Sequence, residues 1–229
     1  MPRTARSVLD GCCYHVLNRG NGRMTIFHKD GDYAAFLRVL GEGLSRCPSV
    51  QLHAYCLMPN HWHLVMRPGQ GRELAKLMGW VGVTHVRRHH EHHHTRGGGH
   101  LYQGRFKSFP VEPGHHFLTV CRYVEANAAR AGLCERAEDW RWCSLAARNA
   151  SADAALPLQL TDWPDGRPED WLQLVNARAS EHELERLRTS VNRGRPFGTD
   201  AWTLTAAAEQ GLKHTLTDGP GRPKKRRNE

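Results

Sequence analysis

The sequence predicts an α+β fold in which an antiparallel sheet carries helices on one face and a mainly helical extension follows. Segments of strand and helix character alternate in the order strand, helix, strand, strand, helix, strand, helix as far as residue 131. The composition changes after about residue 148, where Asp, Pro and Ala become frequent. We therefore expect a first domain over residues 1–148 and a C-terminal extension over 149–229.

Each predicted strand is a short apolar or β-branched run bounded by turn residues. The first run ends at the turn-rich sequence RGNGR, and a short Met-Pro-Asn connection joins the second and third as in a hairpin. In the fourth run, Arg105 and Lys107 alternate to the same face. The predicted strands are 14–18, 50–57, 61–67 and 105–111.

The helices are predicted from apolar residues that recur every three or four positions. The first covers 30–46, and the second covers 72–94 and ends in the histidine-rich HVRRHHEHHH. The third covers 115–131 and is closed by Gly132, since glycine readily adopts the left-handed conformation that ends helices. This order of elements favours the ferredoxin-like arrangement.

The extension contains two tryptophans, Trp163 and Trp171, which we expect to anchor it. Helices are predicted over 181–191 and 199–210. The final segment, DGPGRPKKRRNE, is strongly basic and is expected to be disordered when free.

The charge balance points to a polyanionic partner. Lys and Arg number 32 against 23 Asp and Glu, which gives a formal net charge of +9. Nucleic acid is the simplest such partner, because each neutralised phosphate releases counterions.

The composition also indicates a cytoplasmic protein. No window approaches the ~18 continuous apolar residues that a membrane span needs, and the N-terminus lacks a signal-peptide stretch. The seven cysteines form no C-x-x-C pair. An odd number with this spacing favours reduced, mostly buried thiols.

The segment CLMPNHWHLVMRP contains the most informative pattern in the chain. On a strand, His61 and His63 point to one face and Trp62 to the other. The pattern has two interpretations: a half-exposed strand whose polar face is histidine, or a metal site that takes a third ligand from elsewhere.

The predicted helix 115–131 offers that ligand on a polar line beside its apolar stripe. Tyr123 and Asn127 are four residues apart and share a face. Two imidazoles and an asparagine oxygen could hold Mg²⁺ or Mn²⁺, and Tyr123 could then attack a phosphorus atom. A nearby cation would favour the phenolate form of Tyr123. His116 and Arg130, on the same polar line of the helix, are the candidates for that cation. Alternatively, Tyr123 is a core residue with its hydroxyl in water.

Three segments, YCLMPNHWHLV, LYQGRFKSFPVE and CRYVEANAARAGLCERAEDWRWCSL, resemble the HUH transposases that use one tyrosine, and among them the REP-associated tyrosine transposases. RGRPFGTDAW and LKHTLTDGPGRPKK extend this resemblance to nearly the whole chain. It implies a metal-dependent single-stranded DNA endonuclease and strand transferase. The implied substrates are repetitive extragenic palindromes folded as hairpins, cleaved through a 5′-phosphotyrosine intermediate.

The resemblance implies that Tyr123 is the nucleophile and that His61, His63 and Asn127 are metal ligands. It also implies a monomer, with its active site completed within one chain, in the nucleoid-associated part of the cytoplasm. Many relatives have Asn-Pro where this chain has Asn127-Ala128. Since proline kinks a helix, we expect Asn127 to be aimed somewhat differently here.

Several basic residues are candidate DNA contacts, although each also suits a solvated surface. They are Arg87, Arg88, Arg105, Lys107, Arg130, Lys224, Lys225, Arg226 and Arg227. The tract HHEHHH is expected to be a solvated helix end, because consecutive helical positions spread around the axis and do not converge on one ion.

Two other functions fit the same residues. A domesticated, non-catalytic DNA-hairpin-binding protein would need the basic surface but not the histidines or Tyr123. A metal-dependent hydrolase would use water and leave Tyr123 a structural role. Tyr102 is the rival nucleophile.

Overall fold

The computed structural model describes residues 11–150 and 158–217. Its centre is a four-stranded antiparallel sheet in the order β2-β3-β1-β4. The strands are β1 (Cys13–Arg19), β2 (Val50–Met58), β3 (His61–Pro68) and β4 (Lys107–Val111). The α+β class and all four predicted strands are confirmed. The fourth begins at Lys107 rather than at residue 105, so Arg105 lies in the preceding loop and shares no strand face with Lys107.

The sheet carries helices on both faces, so the expected packing on one face is wrong in this detail. Helices α1 (Asp30–Arg46) and α2 (Gly71–His92) pack with Trp62 and Leu64 in one core. Helix α3 (His115–Glu125) packs in a second core on the opposite face, which includes Val65. The physical reason is that β2 and β3 are buried along almost their whole length, and a strand buried on both sides needs a layer on each.

The predicted helix 115–131 is divided into two. After α3 the chain leaves regular helical geometry at Ala126 (φ −78°, ψ −1°) and continues as α4 (Asn127–Arg130). The predicted stop at Gly132 is confirmed by its φ of +71°. The amides of Gly132 and Leu133 donate to the carbonyls of Ala129 and Ala128, which is the pairing of a Schellman cap.

The described residues after α4 form four further α-helices: α5 (Ser144–Asn149), α6 (Trp171–Asn176), α7 (Glu181–Arg193) and α8 (Asp200–Glu209). The last two match the predicted helices of the extension. Helices α5 and α6 were not predicted, because six residues are too few to show a helical period.

The two predicted tryptophan anchors are buried and tie the extension to the first domain. Trp171 Nε1 donates to Glu125 Oε2 at 2.7 Å, and Trp163 Nε1 donates to the His53 carbonyl at 3.0 Å. Glu125 is fully buried and also accepts from Ser144 Oγ at 2.5 Å. These contacts fix α3 against the segments that follow it. The division at residue 148 stays a prediction.

All seven cysteines are free thiols, and most are buried. Among the described residues no helix has the length and apolarity to cross a bilayer. The tail that includes Lys224, Lys225, Arg226 and Arg227 lies outside the described residues.

Candidate active site

The site begins with the two histidines of β3, which lie side by side on the face covered by α3. The ring centres of His61 and His63 are 5.0 Å apart. Trp62, between them in sequence, is buried on the other face among residues of α1 and α2. The strand alternation predicted from the sequence is therefore present.

Asn60 determines which nitrogen of His61 carries a proton. Its Nδ2 donates to the Arg23 carbonyl at 3.1 Å, which orients the amide so that Oδ1 faces His61. That oxygen lies 2.6 Å from His61 Nδ1. Because a carbonyl oxygen only accepts, Nδ1 of His61 donates and Nε2 presents its lone pair.

His63 is oriented by a third imidazole. Nδ1 of His63 lies 2.8 Å from Nε2 of His15, and the two rings are nearly parallel with their centres 4.9 Å apart. The contact follows from the register, since Leu17 pairs with His63 and His15 is the diagonal neighbour on the same face. If Nε2 of His63 binds a metal, its Nδ1–H donates to Nε2 of His15. The second ring nitrogen of a metal-binding histidine commonly donates to an acceptor in this way.

Burial and neighbouring cations keep these imidazoles uncharged. Burial, with the nearby Arg19 and Arg130, lowers the pKa of His61 to about 4. Burial, followed by the charges of His15, His61 and Arg130, lowers the pKa of His63 well below its usual value. Metal binding requires neutral imidazole, and both side chains are in that protonation state at neutral pH.

Tyr123, on α3, lies against His63 and His15. Its ring centre lies 6.0 Å from that of His63 and 6.2 Å from that of His15, edge to face in both cases. The guanidinium of Arg130 lies over the Tyr123 ring, 4.2 Å from its centre. An arginine over an aromatic face is attracted by the ring and places positive charge beside the phenol. The tyrosine, histidines and arginine predicted to act together therefore lie together.

Asn127 is buried and lies one turn beyond Tyr123. Its Oδ1 accepts from Arg130 at 2.9 Å, and its Nδ2 has no hydrogen-bond partner among the described residues. Arg130 therefore acts on several groups of the site, because it donates to Asn127 and its charge also lowers the pKa of His61 and His63. An amide oxygen has two lone pairs and can accept from Arg130 while binding a cation. Imidazole nitrogen is a ligand of transition metals, and an amide oxygen is a ligand of Mg²⁺ and Mn²⁺.

A cavity of about 360 Å³ adjoins Tyr123 on the side away from the sheet. Helices α3, α4, α6 and α7 form it, so the extension contributes one wall. Arginines and glutamates line its polar surface: Arg122, Arg130, Arg178, Arg188, Glu135, Glu181 and Glu183.

The other predicted residues lie elsewhere. Arg87 and Arg88 are exposed on α2, across the sheet from His63, and Arg88 forms two hydrogen bonds with Glu42. Lys107 is exposed and donates to the Asn192 carbonyl at 3.4 Å, and Arg105 is exposed. Their roles in DNA binding stay predictions.

Two alternatives for the reaction centre are not supported by position. His116 lies 3.3 Å from Glu112 and packs on Phe197, so it forms no part of the group around Tyr123. The Tyr102 hydroxyl is bonded to Trp62 Nε1 at 3.0 Å and to His85 Nδ1 at 2.8 Å, in the core below α2.

The expectation that HHEHHH is a solvated helix end is wrong for part of the tract. His89 is buried, and His93 Nε2 lies 3.2 Å from Asp32 Oδ1. The reason is that α1 packs alongside α2 and covers one side of its C-terminal end.

Sequence reasoning missed Asn60 and His15 as positioning residues. Asn60 adjoins the histidine motif, so a search for hydrogen-bond partners next to the ligands could have found it. His15 comes from another strand, and only the sheet register brings it to His63.

Comparison with known proteins gives a family match. The sequence model described as "Transposase IS200 like" matches residues 8–127, just over half of the chain. No curated protein gives a significant match. One similar solved structure is that of a REP-associated tyrosine transposase bound to a REP hairpin. The identity is 14%, the TM-score is 0.49, and the match covers 73% of this chain and 98% of that one. A candidate transposase from Deinococcus radiodurans R1 is 16% identical with a TM-score of 0.38, covering 58% and 92% respectively.

Proposed function

The chain belongs to the IS200-like transposase family, and from this premise we propose that it is a metal-dependent single-stranded DNA endonuclease and strand transferase with Tyr123 as its nucleophile. The observation that carries the proposal is the position of Tyr123, whose ring lies against His63 and His15 and under the guanidinium of Arg130. A tyrosine with only a packing role would not need the buried, neutral imidazoles of His63 and His15 beside it.

The reaction is a transesterification. Tyr123 Oη forms a bond to the scissile phosphorus and the bond from phosphorus to the 3′ oxygen breaks. The phenolic proton passes to solvent, and the leaving oxygen takes up a proton to become a 3′-hydroxyl. The product is a 5′-phosphotyrosine, which preserves the energy of the phosphodiester. A second 3′-hydroxyl can therefore reverse the step and join strands without ATP.

Arg130 supports this step electrostatically. Negative charge develops on the Tyr123 oxygen as its proton leaves, and the guanidinium that lies over the ring supplies a nearby positive charge. The same charge lies near the histidines, where the phosphate would be bound. Arg130 would thus contact both the nucleophile and the DNA backbone.

The metal would be held by His61, His63 and Asn127, with Asn60 and His15 fixing the two imidazoles. A bound Mg²⁺ or Mn²⁺ would polarise a non-bridging phosphate oxygen and neutralise developing charge. Because Asn127 Oδ1 already accepts from Arg130, it would bind the metal through its second lone pair.

We propose that the substrates are repetitive palindromic hairpins in single-stranded DNA. The net charge of +9 suits a polyanion. Arginines on several sides of the cavity beside Tyr123 could contact the strand that leaves the cleavage position. The hairpin preference itself derives from the resemblance of the sequence segments. We also propose that the protein acts as a monomer.

The test uses an end-labelled single-stranded hairpin oligonucleotide with Mn²⁺ or Mg²⁺, analysed on a denaturing gel. Wild type should give a metal-dependent covalent band. Tyr123→Phe should give none while it still binds DNA on a native gel, and His61→Ala should give none at ordinary metal concentration. Tyr102→Phe is the matched control and should retain the band.

The two alternatives predict different results. Cleavage by Tyr123→Phe, without any covalent band in wild type, would indicate a hydrolase that uses water. Hairpin binding by wild type without cleavage in either metal would indicate the domesticated binding protein. Either result would overturn the proposed transesterification.

A further inference from the structure

We propose a second metal site, for a zinc-type divalent cation, formed by Asp32, His92 and His93. One carboxylate oxygen of Asp32 and one ring nitrogen of each histidine lie within 4.8 Å of one another. Within residues 11–150 and 158–217, no other three side chains of His, Cys, Asp or Glu lie this close together. Asp32 belongs to the first turn of α1, and the histidines lie at the C-terminal end of α2. The site is separate from the candidate active site, because α1 and α2 cover the opposite face of the sheet.

The two histidines approach each other at the C-terminal end of α2. His92 is the last residue of α2, and His93 has φ −92° and ψ 4° as its C-terminal cap. Adjacent residues inside a helix point about 100° apart. Even so, the rings of His92 and His93 meet edge to face with their centres 4.9 Å apart. The third group comes from another helix, which no pattern within the tract HHEHHH could indicate.

Asp32 is held ready to bind a cation. Its side chain is buried, and Oδ2 accepts from the backbone amides of His28 at 2.8 Å and Lys29 at 3.2 Å. The other oxygen, Oδ1, faces His93 Nε2 at 3.2 Å. Burial raises the pKa of Asp32, the amide hydrogen bonds and His93 lower it, and the net effect is a pKa below its usual value. The carboxylate is therefore ionised at neutral pH.

A buried imidazole beside the cluster supports the same interpretation. His89 is one turn before His93, and their ring centres are 4.3 Å apart. It is only 7% exposed, and neither of its ring nitrogens has a hydrogen-bond partner among the described residues. A buried polar group without a partner is costly. His28, with its ring 5.3 Å from that of His93, is a further nitrogen donor at the rim.

The donor set selects the chemical class of the ion. Imidazole nitrogen and carboxylate oxygen are ligands of Zn²⁺, at about 2.0–2.2 Å. In a tetrahedral site, ligand atoms at such distances are about 3.3 Å from one another. The separation of Asp32 Oδ1 and His93 Nε2 already matches this value, and His92 is exposed and free to rotate inward. Bound there, the ion would fasten the end of α2 to the start of α1.

The experiment measures Zn²⁺ binding by titration calorimetry, with Co²⁺ absorption as a second readout. Protein without a histidine tag is used. The variant His61→Ala/His63→Ala serves as the background, so that the candidate active site does not contribute its imidazoles. We expect one equivalent of Zn²⁺ to bind to this background and to raise its melting temperature.

Adding His92→Gln/His93→Gln should weaken Zn²⁺ binding by more than the about 100-fold that loss of an outer-shell partner can cause. His94→Gln is the matched control, since His94 is adjacent but outside the cluster, and it should bind as the background does. The melting temperature without metal shows whether each variant is folded. Should the double change destabilise the fold, His92→Gln alone alters only an exposed side chain and should still weaken binding at least tenfold. Absence of Zn²⁺ binding in the background, or unchanged affinity in the folded His92 variants, would overturn the proposal.

Discussion

Replacing Asn60 by alanine should weaken Mn²⁺ binding at the candidate active site by about 10- to 100-fold. The change removes the oxygen that lies 2.6 Å from His61 Nδ1 and specifies which nitrogen carries the proton. Without it, His61 can rotate or change tautomer, so that Nε2 no longer presents its lone pair to the ion. The expected range corresponds to about 1.4–2.7 kcal/mol of binding free energy.

A smaller effect on stability should accompany the loss of affinity. Asn60 Nδ2 also donates to the Arg23 carbonyl at 3.1 Å. Losing one such exposed hydrogen bond costs about 0.5–1.5 kcal/mol of unfolding free energy. The two effects are separable, because one is measured by urea unfolding and the other by metal titration.

The assay is calorimetric or paramagnetic titration of Mn²⁺ at neutral pH. Asn18→Ala is the matched control, since Asn18 Nδ2 donates to the Gly104 carbonyl at 3.1 Å and forms no bond with His61. Asn60→Asp keeps an acceptor oxygen and should largely restore binding. Affinity within twofold of wild type in folded Asn60→Ala would refute the assigned tautomer.

Two predictions concern stability. Lowering the pH from 7.0 to 5.5 should reduce the free energy of unfolding by about 1.3 kcal/mol for each of His53 and His85. Burial lowers the pKa of His53 to about 4 and that of His85 to about 3. In the unfolded chain both imidazoles take up protons below pH ~6.5. Their contribution to stability is therefore full above pH ~6.5 and is lost as the pH falls below it. Urea unfolding at both pH values measures this, and a flat profile would contradict it. Trp171→Phe should cost about 1–3 kcal/mol, because it removes the donor to the buried Glu125 carboxylate. Trp163→Phe removes a donor to a neutral carbonyl and should cost less in the same measurement; the reverse order would count against this account of Glu125.

Local patterns predicted the fold well as far as residue 131. The order of strands and helices, the alternation around Trp62 and the stop at Gly132 depend on neighbouring residues alone. The placement of helices on both faces was missed, because the polar residues of β2 (Gln51, His53) and β3 (His61, His63) resemble the polar face of a half-exposed strand. The break at Ala126 has no proline to mark it.

The nucleophile and the paired histidines were predicted, but their positioning partners were not. His15 reaches His63 only through the pairing of β1 with β3. Asp32 reaches His93 only through the packing of α1 on α2. Such contacts join residues far apart in the chain, and no periodicity in the sequence encodes them.

The most direct test of the proposed function locates the covalent DNA on the protein. After reaction with the hairpin, the adduct is trimmed with nuclease and digested with trypsin, and the peptides are weighed by mass spectrometry. Cleavage after Arg122 and Arg130 yields the peptide 123–130, YVEANAAR, whose one tyrosine is Tyr123. The account predicts a 5′-linked nucleotide on this peptide. A nucleotide on the peptide 97–105 that contains Tyr102, or DNA cleavage with no modified peptide, would contradict it.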